Sequence, residues 1–199
     1  MNQVIYNNLI ERGYSLYHVT EFDNLPSILK NGLYSLKKLK EYEIEPKYIS
    51  SENSRSIDSY QGLDKYVRLA YTYQYDMLAA ATFQGILKNP IIIYIDPKIL
   101  LDKSNIKYTT MNAISNDARL YSKNDNFNID FQKIYKIRSR DTLTDEYKDA
   151  RQSEVLIEEH IETLYIKKIK IPLNIEYTNN INNIQIINED TINLINGNF

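Results

Sequence analysis

A carboxylate and an amide stand close together ahead of an apolar run in the segment KDARQSEVLIEEH. Gln152 and Glu154 are two residues apart, and Val155 to Ile157 follow. Alternate residues of a strand share a face, so we expect the two side chains to point the same way. An amide both donates and accepts hydrogen bonds, whereas a carboxylate accepts them and carries charge. So short a pair also occurs in ordinary strands with a solvated face, and it predicts no function alone.

Two further polar residues lie in positions that can do chemistry. In YSLYHVT, the alternation predicts a strand with His18 and Thr20 on one face, and Arg55 lies in a polar stretch further along. A single histidine of this kind is more often structural than catalytic, and a loop arginine is usually solvated. These residues gain weight only through their order along the chain.

Several common catalytic motifs are absent from the sequence. Without cysteine, the chain has no disulfide, thiol nucleophile or sulfur-based zinc site, and two well-separated histidines make no compact metal motif. We therefore expect no metal. A G-x-S-x-G hydrolase motif is missing, and a Ser/His/Asp triad has no support. The five glycines allow neither a Rossmann fingerprint nor a phosphate-binding P-loop; they are residues 13, 32, 62, 85 and 197.

The composition is that of an ordinary globular protein. Of 199 residues, 43% are hydrophobic and 25% charged, and we expect a single domain over residues 1–199. No segment suits a secretion signal or a membrane span, so we expect a cytoplasmic protein. The formal net charge of −2 provides no general attraction for phosphates. Contact with nucleic acid would need a local basic patch or stacking on some of the 18 tyrosines.

The elements that must position these residues alternate without regular βαβ spacing, which favours an α+β fold. Helices are predicted at 1–12, from EFDNLPSILKNGL, with Asp23 as N-cap and Gly32 as the stop, and from DMLAAATFQGIL. Residues 36–63 form a long polar loop with some helix, and 124–136 are irregular or helical. Strands are predicted from YSLYHVT, DKYVRLAYTY, NPIIIYIDPKILL with Pro90 and Pro97 as brackets, Glu154 to Ile157 and TLYIKKIKI; the tail beyond Pro172 is a strand or helix.

Several blocks, taken in order, resemble a known family. They are YHVTEFDNLPSILKNGL, the arginine of ENSRS, LDKYVRLAY followed by DML, TTMNAISNDARLY, and ARQSEVLI. Together they resemble the DarT-type ADP-ribosyltransferases, the toxin halves of DarT–DarG toxin–antitoxin systems. The resemblance extends from about Tyr17 to Ile157, and the first and last blocks are its most specific parts.

The resemblance implies a fold, a reaction and partners. The fold would be an ADP-ribosyltransferase-like split β-sandwich with peripheral helices and NAD+ in the cleft. NAD+ would be consumed as a co-substrate, with no separate cofactor, while ADP-ribose is transferred to a base, typically thymine, in single-stranded DNA. The protein would be a monomeric toxin of a toxin–antitoxin or phage-defence system, with a DarG-like macrodomain antitoxin and no membrane association.

The resemblance also assigns roles to individual residues. Glu154 and Arg55 would be catalytic, with the carboxylate stabilising the positive charge that develops on the ribose. Gln152 would read the acceptor base, beside Arg151, Arg119 and Lys148 as further DNA contacts. The NAD+ pocket would be formed by His18, Thr20, Asn24, Leu25 and Arg55.

Departures from the family pattern concern the acceptor. Arg68 stands where the family commonly has proline, and Thr110 where some members have an acidic residue. We predict that both lie away from His18 and Glu154, and so affect the choice of acceptor more than the reaction. Transfer to guanine, RNA or protein therefore remains open. A catalytically silent binding module is a further alternative, but such a copy would be expected to lose Glu154 or Arg55.

Overall fold

The computed structural model describes residues 1–48, 52–73, 76–136, 144–177 and 184–190. Its helices are α1 Asn2–Glu11, α2 Leu25–Asn31, α3 Leu36–Glu41, α4 Glu52–Tyr60, α5 Asp76–Phe83, α6 Ile99–Asp102, α7 Phe131–Ile134 and α8 Asp145–Arg151. Its strands are β1 Leu16–Glu21, β2 Leu33–Tyr34, β3 Tyr66–Ala70, β4 Pro90–Ile95, β5 Ile106–Thr109, β6 Glu154–Glu158, β7 His160–Ile161, β8 Ile166–Pro172 and β9 Gln185–Glu189.

A mixed sheet of seven strands forms the centre of the fold, in the order β5-β6-β3-β1-β4-β8-β9. Neighbouring strands are antiparallel except β8 and β9, which are parallel. The short strands β2 and β7 pair separately as a two-stranded ribbon. The predicted α+β class with peripheral helices is confirmed.

The seven-stranded sheet is nearly divided between β1 and β3. These two strands share one registered pair, Tyr17 with Ala70, whereas β1 has six such pairs with β4 and β3 has five with β6. The sequence resemblance implied two small sheets. Strands β5, β6 and β3 form one half and the other four strands form the second, but the single pair keeps the two halves in one sheet.

The position of β4 in the core explains the uninterrupted apolar run PIIIYI, the clearest strand pattern in the sequence. All six residues of β4 are buried, because this strand lies inside the sheet and both of its faces are covered. Ile5 and Leu9 of α1 and Leu29 of α2 pack in the main core with Ile91, Ile93 and Ile95. An uninterrupted apolar run is typical of a strand in this position.

The turn after α2 needs a glycine. Gly32 has φ +79°, and a Cβ there would lie 2.2 Å from the carbonyl oxygen of Ile161 in β7. The predicted stop at Gly32 is thus confirmed. The predicted N-cap at Asp23 is wrong: Asn24 occupies the N-cap position, and no side chain caps the helix there.

The long polar segment is more ordered than predicted. Within residues 36–63 the structure has α3, whose first turn is capped by the Ser35 hydroxyl accepting from the amide of Lys38, and α4. Beyond Pro172, β9 pairs along β8, which agrees with a strand in the tail. Residues 178–183 and 191–199 of that tail lie outside the described residues. No helix in the described part is long and apolar enough to cross a membrane.

Candidate active site

A cavity of about 400 Å³ opens where β1 and β3 part. Its walls come from the middle of β1, from β3, from the start of β6 and from the segment between β2 and α4. Pockets of this size hold small molecules and cofactors. Because the sheet lacks regular pairing at this point, backbone and side chains of both halves can face the same ligand.

The carboxylate of Glu154 lies in the cavity wall against a guanidinium group. Arg68 donates from Nη2 to both oxygens of Glu154, at 2.9 and 2.8 Å, and from Nε at 3.2 and 3.1 Å. The amide of Ala113 donates to Oε2 at 3.0 Å. The two side chains are 15% exposed for Glu154 and 23% for Arg68. Charge-assisted bonds of this fork geometry fix both position and orientation.

Arg68 also contacts two other polar groups. Its Nη1 donates to Oδ1 of Asp58 in α4 at 3.0 Å, and its Nη2 donates to Oδ1 of Asn112 at 2.8 Å. Burial raises the pKa of the Asp58 carboxyl, an effect that the positive charge of Arg68 opposes. One guanidinium therefore joins two carboxylates from different elements at the cavity.

His18 presents one ring nitrogen to a backbone carbonyl. Its Nδ1 lies 3.1 Å from the carbonyl oxygen of Arg68. A carbonyl can only accept, so Nδ1 carries the proton and the neutral ring keeps Nε2 as an acceptor. Burial lowers the pKa of His18, while the bond to Arg68 partly opposes this. The ring thus lines the cavity as a neutral group.

Thr20 and Asn24 tie β1 to the segment that covers the cavity. The amide of Asn24 donates to Oγ1 of Thr20 at 2.8 Å and to the carbonyl oxygen of Lys47 at 2.9 Å. The backbone amide of Lys47 returns a bond of 2.7 Å to Oδ1 of Asn24. Thr20, Asn24 and Lys47 all line the cavity. The side chain of Asn24, which is predicted to bind NAD+, therefore also fixes the backbone of Lys47 in the cavity wall.

Two predicted NAD+ residues lie differently from the others. The guanidinium of Arg55 stacks on the ring of Tyr48 at 4.1 Å, and Tyr48 lines the cavity. Leu25 is fully buried in the main core and is not part of the cavity wall in the described structure. The side chain of Leu25 belongs to the apolar face of α2 that packs on the sheet, so its contact with NAD+ stays a prediction.

The predicted DNA-contacting residues are not brought together at the cavity. Gln152 ends α8, with φ −94° and ψ 9°, and β6 begins only at Glu154. The expectation that the two share a strand face is wrong, since helix α8 extends up to Arg151. Arg151 itself is 7% exposed and donates to the carbonyl oxygen of Lys136. Arg119 and Lys148 are exposed, and Lys148 pairs with Asp145.

Arg68 is the cavity residue whose importance sequence analysis missed. It contacts Glu154 directly, so the prediction that this departure lies away from Glu154 is wrong. A signal was present, because Arg68 stands between Val67 and Leu69 in an otherwise apolar strand. A charge in such a position needs a partner. Nothing in the sequence indicated Asp58 or Asn112 as partners.

Comparison with known proteins agrees with this architecture. The sheet is nearly divided, and the cavity at the division is lined by a glutamate, an arginine and a neutral histidine. These features define an α+β protein with a nucleotide-sized site at a break in its sheet. The chain belongs to the DarT family, described as ssDNA thymidine ADP-ribosyltransferases, whose family model matches residues 17–189.

Individual relatives are similar over most of the chain. A DNA ADP-ribosyl transferase–DNA ADP-ribosyl glycohydrolase fusion protein of Thermosipho africanus is 23% identical over 88% of this chain and 48% of its own. The structure of Thermosipho africanus DarTG in complex with ADP-ribose has a TM-score of 0.72 at 24% identity, covering 90% of this chain and 50% of that one. For Thermus sp. 2.9 DarT in complex with ADP-ribosylated ssDNA, the TM-score is 0.62 at 15% identity, with 81% and 82% covered. The chain spans about half the length of the first two.

Proposed function

We propose that this chain transfers ADP-ribose from NAD+ to thymidine in single-stranded DNA. The observation that carries the proposal is the meeting of Glu154, from the C-terminal part of the family match, with His18, from its beginning, at one cavity. NAD+ is a substrate in this scheme: its ADP-ribose is transferred to the base and nicotinamide is released.

The carboxylate of Glu154 has the central chemical role. When the bond between ribose C1 and the nicotinamide nitrogen breaks, its electron pair leaves with nicotinamide and positive charge develops on the ribose. Glu154 stabilises that charge by accepting from the ribose 2′-hydroxyl. Thymine N3 then supplies the electron pair of the new bond to C1, and its proton is released to water.

The remaining assigned residues bind the two substrates. We assign NAD+ binding to His18, Thr20 and Asn24, because all three line the cavity. Arg55 neutralises the diphosphate or orients the acceptor base, which is supported by its place on Tyr48 at the cavity. Gln152, Arg119 and Lys148 are proposed as outer DNA contacts.

Partners and location follow from the same scheme. The Thermosipho relative is by its name a fusion of a transferase with a glycohydrolase, which supports a DarG-like macrodomain partner that removes the modification made by this chain. We propose a toxin that acts as a monomer, which is supported by the meeting of Glu154, His18 and Thr20 of a single chain at one cavity. A cytoplasmic location is proposed because both DNA and NAD+ are found there.

The experiment that tests the function compares four single-stranded DNAs, each lacking one base. Purified protein is incubated with NAD+ and each DNA, and mass spectrometry measures the addition of ADP-ribose. We expect a mass gain on every DNA except the one without thymine. A gain lost only without guanine would move the acceptor to that base. No gain on any DNA would refute the proposed function.

The catalytic assignment is tested with Glu154→Gln, which keeps the shape and an acceptor for Arg68. Loss of the negative charge should lower kcat at least about 100-fold, because the charge on ribose is no longer stabilised. Glu158→Gln, on the same strand but in a surface pair with Lys65, is the matched control and should retain activity. Equal activity of the two variants would remove Glu154 from the mechanism.

A further inference from the structure

Arg68 connects the two residues proposed to be catalytic. On one side its guanidinium binds both oxygens of Glu154 in β6. On the other side it binds Asp58 in α4, the helix that also carries Arg55 three positions earlier. Residues three apart lie on neighbouring parts of a helix surface. The Arg68–Asp58 pair therefore fixes the helix that bears Arg55 relative to the carboxylate of Glu154.

The surroundings of the Arg68 guanidinium fix its orientation. Asp58 is 9% exposed at its side chain, Glu154 15% and Arg68 23%. Asn112 accepts a bond from Nη2 of Arg68 and also one from the amide of Ile114. Guanidinium has five donors in a planar fork, and Arg68 uses that fork on three side chains at once. A lysine has the charge but cannot reproduce this arrangement.

The backbone of Arg68 fixes a third residue of the site. Its carbonyl oxygen accepts from Nδ1 of His18 across the break between β3 and β1. Arg68 thus contacts both halves of the sheet, through its backbone on the β1 side and its side chain on the β6 side. A displacement of about 1 Å in a catalytic group can reduce the rate about 100-fold.

We propose that Arg68 is the positioning residue of this site, which holds Glu154 and, through Asp58, the helix of Arg55 in the arrangement required for transfer. This inference rests on the proposed function. It differs from a role in ligand binding, because the guanidinium acts on protein carboxylates. Its loss should therefore lower kcat much more than it changes the KM for NAD+.

The test measures kcat and the KM for NAD+ in Arg68→Lys and Arg68→Met, with thermal unfolding of each variant. We expect kcat to fall about 10-fold in Arg68→Lys and about 100-fold in Arg68→Met, with KM changed less than about threefold. Lys103→Met is the matched control, since the Lys103 side chain is about as exposed as that of Arg68 and pairs with Glu162 outside the cavity. It should keep wild-type kcat.

Chemical rescue separates positioning from folding. Added guanidinium ions can enter the space left in Arg68→Met and should restore part of kcat, an effect not expected in Lys103→Met. Asp58→Asn should also lower kcat, and its effect should be less than additive with that of Arg68→Met, because both act on one network.

Three outcomes would overturn the inference. They are a wild-type kcat in folded Arg68→Met, a rise in KM without loss of kcat, and a loss of kcat that neither guanidinium nor Arg68→Lys restores in part. These outcomes differ from failure of the proposed function, in which the wild-type protein itself modifies no DNA.

Discussion

His18 combines a chemical role with a pH-dependent contribution to stability. Burial lowers the pKa of its ring in the folded protein, whereas in the unfolded chain the pKa is about 6.5. Above about pH 6.5 both states are neutral, and His18 makes no difference. As the pH falls below this value, the unfolded chain takes up a proton that the folded ring resists. Stability is therefore lost, by at most about 1.4 kcal/mol per pH unit.

The prediction is that His18→Asn removes this part of the pH dependence. The asparagine amide can still donate to the carbonyl of Arg68 but does not titrate. Urea unfolding at about pH 7.5 and about pH 5.5 should show a smaller loss of unfolding free energy in the variant than in the wild type. Equal m-values would verify that both unfold from the same state. The same loss in both proteins would contradict a depressed pKa.

The individual site residues could be predicted only where a motif pointed to them. Glu154, His18, Thr20 and Asn24 were expected in one pocket and do line one cavity. Leu25 was assigned to it through its neighbours, although its apolar side chain belongs to the core. Arg68 was missed because its significance lies in partners distant in sequence. Such a network appears only when β3, β6 and α4 are brought together.

The segment between α3 and α4 depends on one asparagine at the start of α2. Asn24 holds the backbone of Lys47 through its N–H and its carbonyl, and the adjoining Pro46 and Tyr48 also line the cavity. Asn24→Ala removes these bonds, so the segment around Lys47 is less ordered in the free protein. Part of the binding free energy of NAD+ must then be used to order it. We expect faster hydrogen exchange at the Lys47 amide and NAD+ binding weakened about tenfold, or about 1.4 kcal/mol.

The control for this prediction is Asn31→Ala on the same helix. The amide of Asn31 donates to the hydroxyl of Ser27 within α2, outside the cavity, so its loss should leave NAD+ affinity unchanged. Isothermal titration measures both variants. If Asn24→Ala bound NAD+ as tightly as Asn31→Ala does, the bridge to Lys47 would have no part in the site.

Helices and strands were predictable to the extent that local pattern determines them. The apolar run of β4 and helix α2, with its stop at Gly32, were found as expected. Helix α4 lies in a segment predicted only as a polar loop with some helix, because ENSRSIDSY has no apolar stripe. The contact of Asp58 with Arg68 supports this helix from outside, and tertiary contacts routinely override weak local preference. The end of α8 at Arg151 was not predicted either, because its sequence DEYKDAR is also polar.

The division of the sheet determines how its two halves can respond to a bound ligand. One registered pair and the contact of His18 with the Arg68 carbonyl join β1 to β3. The cavity lies at this join, so a ligand in it contacts both halves. The halves are otherwise held by the apolar core, which is non-directional and permits small shifts more readily than a regular ladder does.

We therefore predict that ADP-ribose suppresses local opening between β1 and β3 as well as global unfolding. At about 100 times its Kd, a ligand that binds only the folded state raises the free energy of unfolding by about 2.7 kcal/mol. Hydrogen exchange should slow further at the amides of Arg68 and Ala70 in β3 and of Tyr17 in β1, because local opening at the break is suppressed.

Amides between β4 and β8 provide the internal reference for this experiment. Four registered pairs join these strands, away from the break, so their protection should rise only as far as global stability rises. Extra slowing on one side of the break alone would mean that the ligand contacts one half, and uniform slowing would mean that the join does not open by itself. Either pattern would contradict a site that works by spanning two halves of one sheet.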